Sequence, residues 1–264
     1  MCQDMMRAEV WLQDSLDDQV GIEALARRMG YSSSQIRRRF RHCFGLSPGA
    51  YRDRLRLEKA ARLLIHTPMD VNRIAGACGY RNHSAFSRAF QRRFGRTPRQ
   101  YRRCLRLNLA RRRKAATPFA YQVRELPRRK TVLTRLYRPA RPLEDLRDWQ
   151  RHAQGAEVLP ASLAAAPPIA IYHDQPLEGA LPRLDLGVEL DIAAAGLALP
   201  PNFRTQELPA QAYACVPLTH PGQLDEAMLF MSGRAVSGDG EPLSGEAPQL
   251  LQQAETLELR IPLL

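Results

Sequence analysis

Several features are scarce in this chain, and each scarcity narrows what it can be. Only five cysteines occur among 264 residues: Cys2, Cys43, Cys78, Cys104 and Cys215. None stand in Cys-x-x-Cys spacing, which argues against a zinc site and against a disulfide framework. No metal and no cofactor are expected, and Cys78, just before Gly79, reads as a core residue. No run approaches ~18 uninterrupted apolar residues, so no membrane-spanning helix is expected. The N-terminus lacks a basic segment followed by an apolar one, so no secretory signal is expected. A reduced, cytoplasmic protein is the simplest reading. No nucleophile–base constellation stands out, and an enzyme is not expected.

What is present is positive charge, unevenly spread. The formal net charge is +12. Residues 1–118 hold 26 Lys and Arg against 9 Asp and Glu, whereas residues 119–264 hold 13 against 18. A basic half joined to a mildly acidic half fits one domain on a polyanion and one with separate work. A solvated basic surface is the bland alternative. The length allows two ordinary domains.

The first hundred residues contain one pattern twice. Ile22-x-x-Leu25-Ala26, Gly30-Tyr31, Ile36-x-Arg38-x-Phe40, Phe44-Gly45 and Ser47-Pro48-x-x-Tyr51 form the first copy. Val71-x-x-Ile74-Ala75, Gly79-Tyr80, Phe86-x-Arg88-x-Phe90, Phe94-Gly95 and Thr97-Pro98-x-x-Tyr101 form the second. The offset is 49 through Gly79-Tyr80 and 50 from Phe86 onward, so one residue is inserted in a turn between two helices. Val10, Trp11 and Leu16 predict an amphipathic helix ahead of the first copy. Ser32, Asp70 and Asn82 are placed to cap helices, and Ser47-Pro48 and Thr97-Pro98 are helix starts.

Each copy therefore reads as a helix-turn-helix, in which the second helix enters the major groove and the first braces it. Opposite the inward Ile36 and Phe40 lie Ser33, Ser34, Arg37, Arg38 and Arg41. Opposite Phe86 and Phe90 lie His83, Ser84, Ser87, Arg88, Gln91 and Arg92. These are the candidate DNA-binding residues. An Arg fork matches the O6 and N7 edge of guanine and can equally clamp phosphate. Arg38 and Arg88 occupy equivalent positions and are the first choices; for each, a merely solvated helix face is the alternative. The helix from Pro48 to about Ile65 would be roughly 27 Å long. It could hold two recognition helices about one DNA turn (~34 Å) apart, so that a monomer reads two adjacent grooves.

Residues 7–105 resemble the DNA-binding domain of the AraC family of bacterial transcription regulators. The resemblance rests on Gly79-Tyr80-Arg81-Asn82-His83-Ser84-Ala85-Phe86-Ser87-Arg88-Ala89-Phe90 and Phe94-Gly95-Arg96-Thr97-Pro98-Arg99-Gln100-Tyr101-Arg102. Related regulators often carry Trp and Gln where Ser34 and Arg37 stand, so the target sequence does not carry over. The DNA-binding half comes first, as in Rob-like members. The resemblance implies double-stranded DNA and RNA polymerase as partners, and activation more than repression.

A basic connector, Arg111 to Pro118, leads into a second duplication. Val123-Arg124-Glu125-Leu126-Pro127 recurs as Thr205-Gln206-Glu207-Leu208-Pro209. Leu184-Asp185-Leu186-Gly187-Val188-Glu189-Leu190 recurs as Leu257-Glu258-Leu259-Arg260-Ile261-Pro262-Leu263. Apolar strands (131–137 and 212–218) and amphipathic helices (143–153 and 223–231) lie between. The alternation predicts sheets with one buried face, built as two α+β modules side by side with a cleft between them. Residues 238–253 offer no clear counterpart of the Ile171-Tyr172 strand.

Residues 119–264 resemble the gyrase-inhibitor-like (GyrI-like) effector-binding domain. The resemblance rests on Glu125-Leu126-Pro127, Trp149, the segment Pro168 to Pro176, Asp185 to Glu189, and Glu258 to Pro262. It implies a small-molecule effector, often a bulky lipophilic cation, in an aromatic pocket with an acid at its floor. Glu258 fits the acid role, Asp185 is its repeat partner, and Trp149 and Tyr172 are candidate walls. Arg260 stands where relatives usually have an aromatic. Sharing a strand face with Glu258, it could neutralise that acid and disfavour a cation.

The expected architecture is thus multidomain. An all-α double helix-turn-helix domain (1–106) is followed by a basic linker (107–118) and a duplicated α+β domain (119–264). The expected function is an effector-controlled, DNA-binding transcription regulator. The alternatives are a small-molecule hydrolase, with Glu258 as base and Tyr172 assisting, fused to a DNA-binding domain, and an architectural DNA binder with a vestigial sensor.

Overall fold

The computed structural model describes residues 3–16, 21–137, 163, 165–173, 183–190, 198–200, 202–253 and 256–264. The chain divides into two compact units, Met1–Leu105 and Arg106–Leu264.

The first unit is all helix. Its elements are α1 (Gln3–Asp14), α2 (Ile22–Met29), α3 (Ser33–Phe44), α4 (Pro48–His66), α5 (Val71–Ala77), α6 (His83–Phe94) and the start of α7 (Pro98–Arg113). Their apolar stripes meet in a core that includes Met5, Leu25, Ile36, Phe40, Tyr51, Leu64, Ile65, Ile74, Phe86 and Phe90, all fully buried. Cys78 is buried as well. α4 is the hub and packs on α1, α3, α5 and α6.

Three sets of side-chain hydrogen bonds tie the hub to its surroundings. Tyr51 donates to Glu9 Oε1 at 3.0 Å, tying α4 to α1. Arg56 donates from Nε and Nη2 to the Leu16 carbonyl at 3.0 and 2.9 Å. Arg102 donates to the carbonyls of Leu64, at 2.9 Å, and Met69, closing the end of α4. These charge-assisted bonds satisfy backbone groups that a helix end or a turn leaves open.

α7 differs from the expected linker. Arg111, Arg112 and Arg113 form its last turn. Nothing between Leu105 and Arg113 breaks a helix, and Leu109 is buried, so the helix continues past the predicted boundary.

Beyond the end of α7, the second unit is a curled antiparallel sheet with one long described α-helix. The strands are β1 (Gln122–Leu126), β2 (Arg129–Tyr137), β3 (Pro168–Tyr172), β4 (Arg183–Leu190), β5 (Arg204–Leu208), β6 (Gln211–Leu218), β7 (Gln249–Gln253) and β8 (Thr256–Pro262). Helix α8 is Leu224–Ser237. The expected helix at 143–153, and Trp149 with it, lie outside the described residues.

The strand order is β1-β6-β8-β7-β3-β4-β2-β5. Exchanging each of the first four strands for its counterpart in the second four reverses this order, leaving it unchanged. The register obeys the same symmetry. Leu126 stands opposite Gln211, and Leu208 opposite Arg129. Ala170 stands opposite Leu250 at the symmetry axis.

Two expectations are corrected here. The halves do not sit side by side as separate modules, because each gives its first strand to the other: β1 pairs with β6, and β5 with β2. The Ile171-Tyr172 strand does have a counterpart, β7. Its glutamines Gln249, Gln252 and Gln253 obscure the apolar pattern, and only Leu250 and Leu251 carry its core contacts.

This topology forces the curl. Leu126 and Arg129 are separated by two residues and can span at most ~11 Å. In a flat sheet, β1 and β2 would lie six strand spacings apart, ~29 Å. The equally short link from Leu208 to Gln211 acts the same way on the other half.

One face of the sheet packs on α8 through Leu184, Leu186, Ala214, Val216, Leu257, Leu259 and Ile261. The other carries Leu133, Ile169, Ile171 and Leu251. It also carries the charged alternates Asp185, Glu189, Glu258 and Arg260.

Gly187 is required by close approach. A Cβ there would lie 1.8 Å from the Val132 carbonyl oxygen. Gly187→Ala is expected to destabilise the second unit by about 2 kcal/mol or more, read as a lowered urea midpoint. Gly49→Ala, in open space on α4, serves as the control and is expected to be neutral or stabilising.

Candidate functional site

The two second helices of the repeat are built alike. α3 starts after Ser32, whose hydroxyl accepts from Gln35 N at 3.3 Å while Gln35 Oε1 accepts from Ser32 N at 3.0 Å. α6 starts after Asn82, whose Oδ1 accepts from Ser84 N at 2.8 Å and Ala85 N at 3.2 Å. Both end on left-handed glycines, Gly45 (φ 73°) and Gly95 (φ 70°), as a helix C-terminus favours. The inserted residue falls in the preceding turn, which is Tyr31-Ser32 in one copy and Tyr80-Arg81-Asn82 in the other.

Three rings lie beneath each helix. Phe40, Phe44 and Tyr51 have centroids 4.6, 5.4 and 5.4 Å apart. Phe90, Phe94 and Tyr101 have centroids 4.5, 5.3 and 5.1 Å apart. Such pairs contribute about 0.5–1.5 kcal/mol each beyond burial. Burial pushes the Tyr101 phenol up to about 12, so it stays neutral at physiological pH.

With the inner face fixed, the outer face is determined. Ser34, Arg37, Arg38 and Arg41 are exposed and Ser33 is half-buried. On α6, His83, Ser84, Arg88, Gln91 and Arg92 are exposed and Ser87 is half-buried. Ser34, Arg38 and Arg41 form one stripe at i, i+4, i+7, and Ser84, Arg88 and Gln91 form its equivalent. Arg39, also exposed, stacks on Tyr31 with its guanidinium 4.6 Å from the ring centroid and donates to the hydroxyl at 3.0 Å. Tyr31 in turn donates to Asp4 at 2.7 Å, which braces this flank.

The charged face of the sheet holds two ion clusters. In the first, Asp185 is fully buried and accepts from Arg135 Nε at 2.7 Å and Nη2 at 2.8 Å, and from Arg204. His173 Nε2 lies 2.6 Å from Asp185 Oδ2. Burial alone would raise the Asp185 pKa, but the Arg135 and His173 partners outweigh it and hold it well below the usual carboxylate range. For His173, burial dominates and lowers the pKa, so the ring is neutral at pH 7 and donates to Asp185.

In the second cluster, Glu189 accepts from Arg129 Nη1 at 2.8 Å and from Arg260 Nη1 at 2.9 Å. Arg260 Nε donates to Glu258 at 2.7 Å, and Arg124 donates to the other Glu258 oxygen. Arg129 stacks on Tyr213, 4.8 Å from the ring centroid.

The predicted effector residues are thereby sorted. Glu258 and Arg260 share one cluster. Asp185 lies on the same face, sealed under its own three partners. Tyr172 packs in the core with Leu184 and Leu186 on the α8 side, because strand alternation turns it away from the acids. Sequence reasoning passed over Arg129, Glu189, Arg124 and Tyr213. The signal for Arg129 and Glu189 is the β2–β4 register, which sets Thr131 opposite Glu189 and so brings Arg129, two residues earlier on the same face, to that carboxylate. Among the described residues no His, Cys, Asp and Glu group could hold a metal, and no helix is long and apolar enough to cross a membrane.

The first unit is thus a helix-turn-helix unit in duplicate. The helix-turn-helix domain model matches residues 25–104. The HTH-type transcriptional activator RhaS of Escherichia fergusonii is 40% identical over 77 residues, 29% of this chain and 28% of that protein. The match therefore spans well under a third of that curated relative. A probable AraC family transcriptional regulator from Rhodopseudomonas palustris is similar in structure, at 31% identity over 38% of this chain and 94% of its own, with a TM-score of 0.36. The structure of SAV2435 bound to tetraphenylphosphonium matches at 13% identity over 55% of this chain and 94% of its own, with a TM-score of 0.39.

Below about pH 6.5, the ordinary imidazole value, unfolded chains take up a proton on His173 that the folded state resists. Stability should therefore hold above that pH and fall below it, by at most about 1.4 kcal/mol per pH unit for this group. The check is urea unfolding at pH 7.5 and 5.5, where His173→Gln should lose less stability between the two than the parent.

Proposed function

We propose that the chain is a sequence-specific DNA-binding transcription regulator. Its two recognition helices read neighbouring major-groove faces of one duplex, and its second unit binds a small-molecule effector. The observation that carries this reading is the matched pair α3 and α6. Each has 12 residues, is capped at both ends, rests on an aromatic trio, and presents Arg38 or Arg88 at the same outward position. α4, with 19 residues, is ~28 Å long and suits the spacing of successive groove faces. Ser33, Ser34, Arg37, Arg41, His83, Ser84, Ser87 and Arg92 complete the proposed contact surface. Activation is proposed by analogy with RhaS, a transcriptional activator, and RNA polymerase is proposed as a partner.

The internally symmetric antiparallel sheet supports a GyrI-like effector domain. A hydrolytic reading needs Glu258 free as a base with Tyr172 beside it. Both Glu258 oxygens accept from arginines, and Tyr172 stands on the other face, so nothing favours that reading. An architectural DNA binder remains the alternative that ligand-independent promoter output would favour.

Footprinting should reveal two adjacent protected groove faces. One short protected patch, or unchanged occupancy after scrambling either half of the site, would overturn the reading. Arg88→Ala should weaken specific binding by about 1–3 kcal/mol and relax one base preference. Equal loss on specific and random DNA would reduce Arg88 to a phosphate contact. Affinity should also fall steeply between low and moderate salt, measured by titration at several ionic strengths.

A further inference from the structure

A cleft of about 560 Å³ opens on the charged face of the second unit, lined by Leu126, Pro127, Arg129, Glu189, Leu190 and Arg260 among others. Its uncharged walls are aliphatic apart from Gln253, and its charged members are two arginines and one glutamate. The ion cluster behind it alternates Arg129, Glu189, Arg260, Glu258 and Arg124, which leaves one positive charge over. Glu258, the expected acceptor for a cation, is already neutralised from both sides.

Arg129 is the most incomplete member, with two buried nitrogens lacking an acceptor against one, Nε, on Arg124. Its side chain is 8% exposed, and Nη1 is taken by Glu189. Nε and Nη2 are buried and have no hydrogen-bond partner. Those two nitrogens form one edge of the guanidinium, the edge that meets a carboxylate with two parallel bonds. The Tyr213 ring stacked on Arg129 restricts where that edge can go. A buried, charged donor pair without an acceptor is costly; both nitrogens are shielded from solvent, so an anion entering the cleft satisfies them once the side chain turns that edge toward it.

We propose that this cleft binds a small monocarboxylate with an apolar body, held in bidentate fashion by Arg129 Nε and Nη2, with Leu126, Pro127 and Leu190 against its apolar part. This rests on the reading of the second unit as an effector domain and assigns that effector's charge as negative.

The test is calorimetric titration of the full chain with octanoate, octanamide and octylammonium, three probes of similar length and different charge. Octanoate is expected to bind at least tenfold more tightly than either of the others. Arg129→Gln should lose at least tenfold in octanoate affinity, with thermal unfolding checked in parallel. Arg128→Gln, two positions beyond the β1 strand and paired with Glu207 at the surface, should leave affinity unchanged. A preference for octylammonium would overturn the charge assignment while keeping the effector site. Absence of octanoate binding at millimolar concentration, or full affinity in folded Arg129→Gln, would overturn the proposal. Selective octanoate binding that leaves DNA affinity unaltered would uphold the proposal and count against effector control.

Discussion

The aromatic trio under each recognition helix is the contact on which the proposed function depends. Ring packing against Tyr51 or Tyr101 fixes the rotation of α3 or α6 about its own axis. Once that rotation is fixed, helical periodicity decides that Arg38 and Arg88 face outward, with no further instruction. A loosened trio would leave the arginines present but not aimed. The capping groups at Ser32 and Asn82 act on the same problem from the helix ends, since a frayed first turn would displace Ser34 and Ser84.

The two copies are alike in construction but not in support. Gly30 and Gly79 hold the same left-handed turn, yet Gly30 has open space around it while the Arg56 guanidinium lies against Gly79. The second turn is therefore coupled to the Arg56 link with Leu16, and the first is not. The sheet shows the same divergence after duplication. Gly187 and Arg260 are repeat equivalents. At Gly187 the Val132 carbonyl excludes any side chain, whereas at Arg260 there is room for a long cation. One half of the sheet thereby became a packed surface, and the other supplies charge to a cleft.

Much of this was legible in the sequence. The helix-turn-helix repeat could be read because both determinants are local: apolar spacing within a helix, and Ser, Asn, Pro and Gly at helix ends. The sheet duplication could be read from the alternation in Leu184–Leu190 and Leu257–Leu263. Strand exchange could not, because pairing partners are chosen across the whole unit and leave no local mark. β7 was hidden because its glutamines suppress the apolar signal. Aromatic character says nothing about which face Tyr172 takes; parity along β3 decides it and turns the ring into the core. Arg129 was passed over because its significance lies in an ion partner 60 positions away.

The exchange of β1 and β5 has a consequence for synthesis. Among the described residues β1 pairs only with β6, some 85 residues later and encoded in the other half, so this pairing waits until β6 has left the ribosome. The first half of the sheet therefore cannot close until β6 has been made, and products truncated before it expose an unprotected strand edge. A duplication that began as two equal pieces has become a unit that assembles all at once.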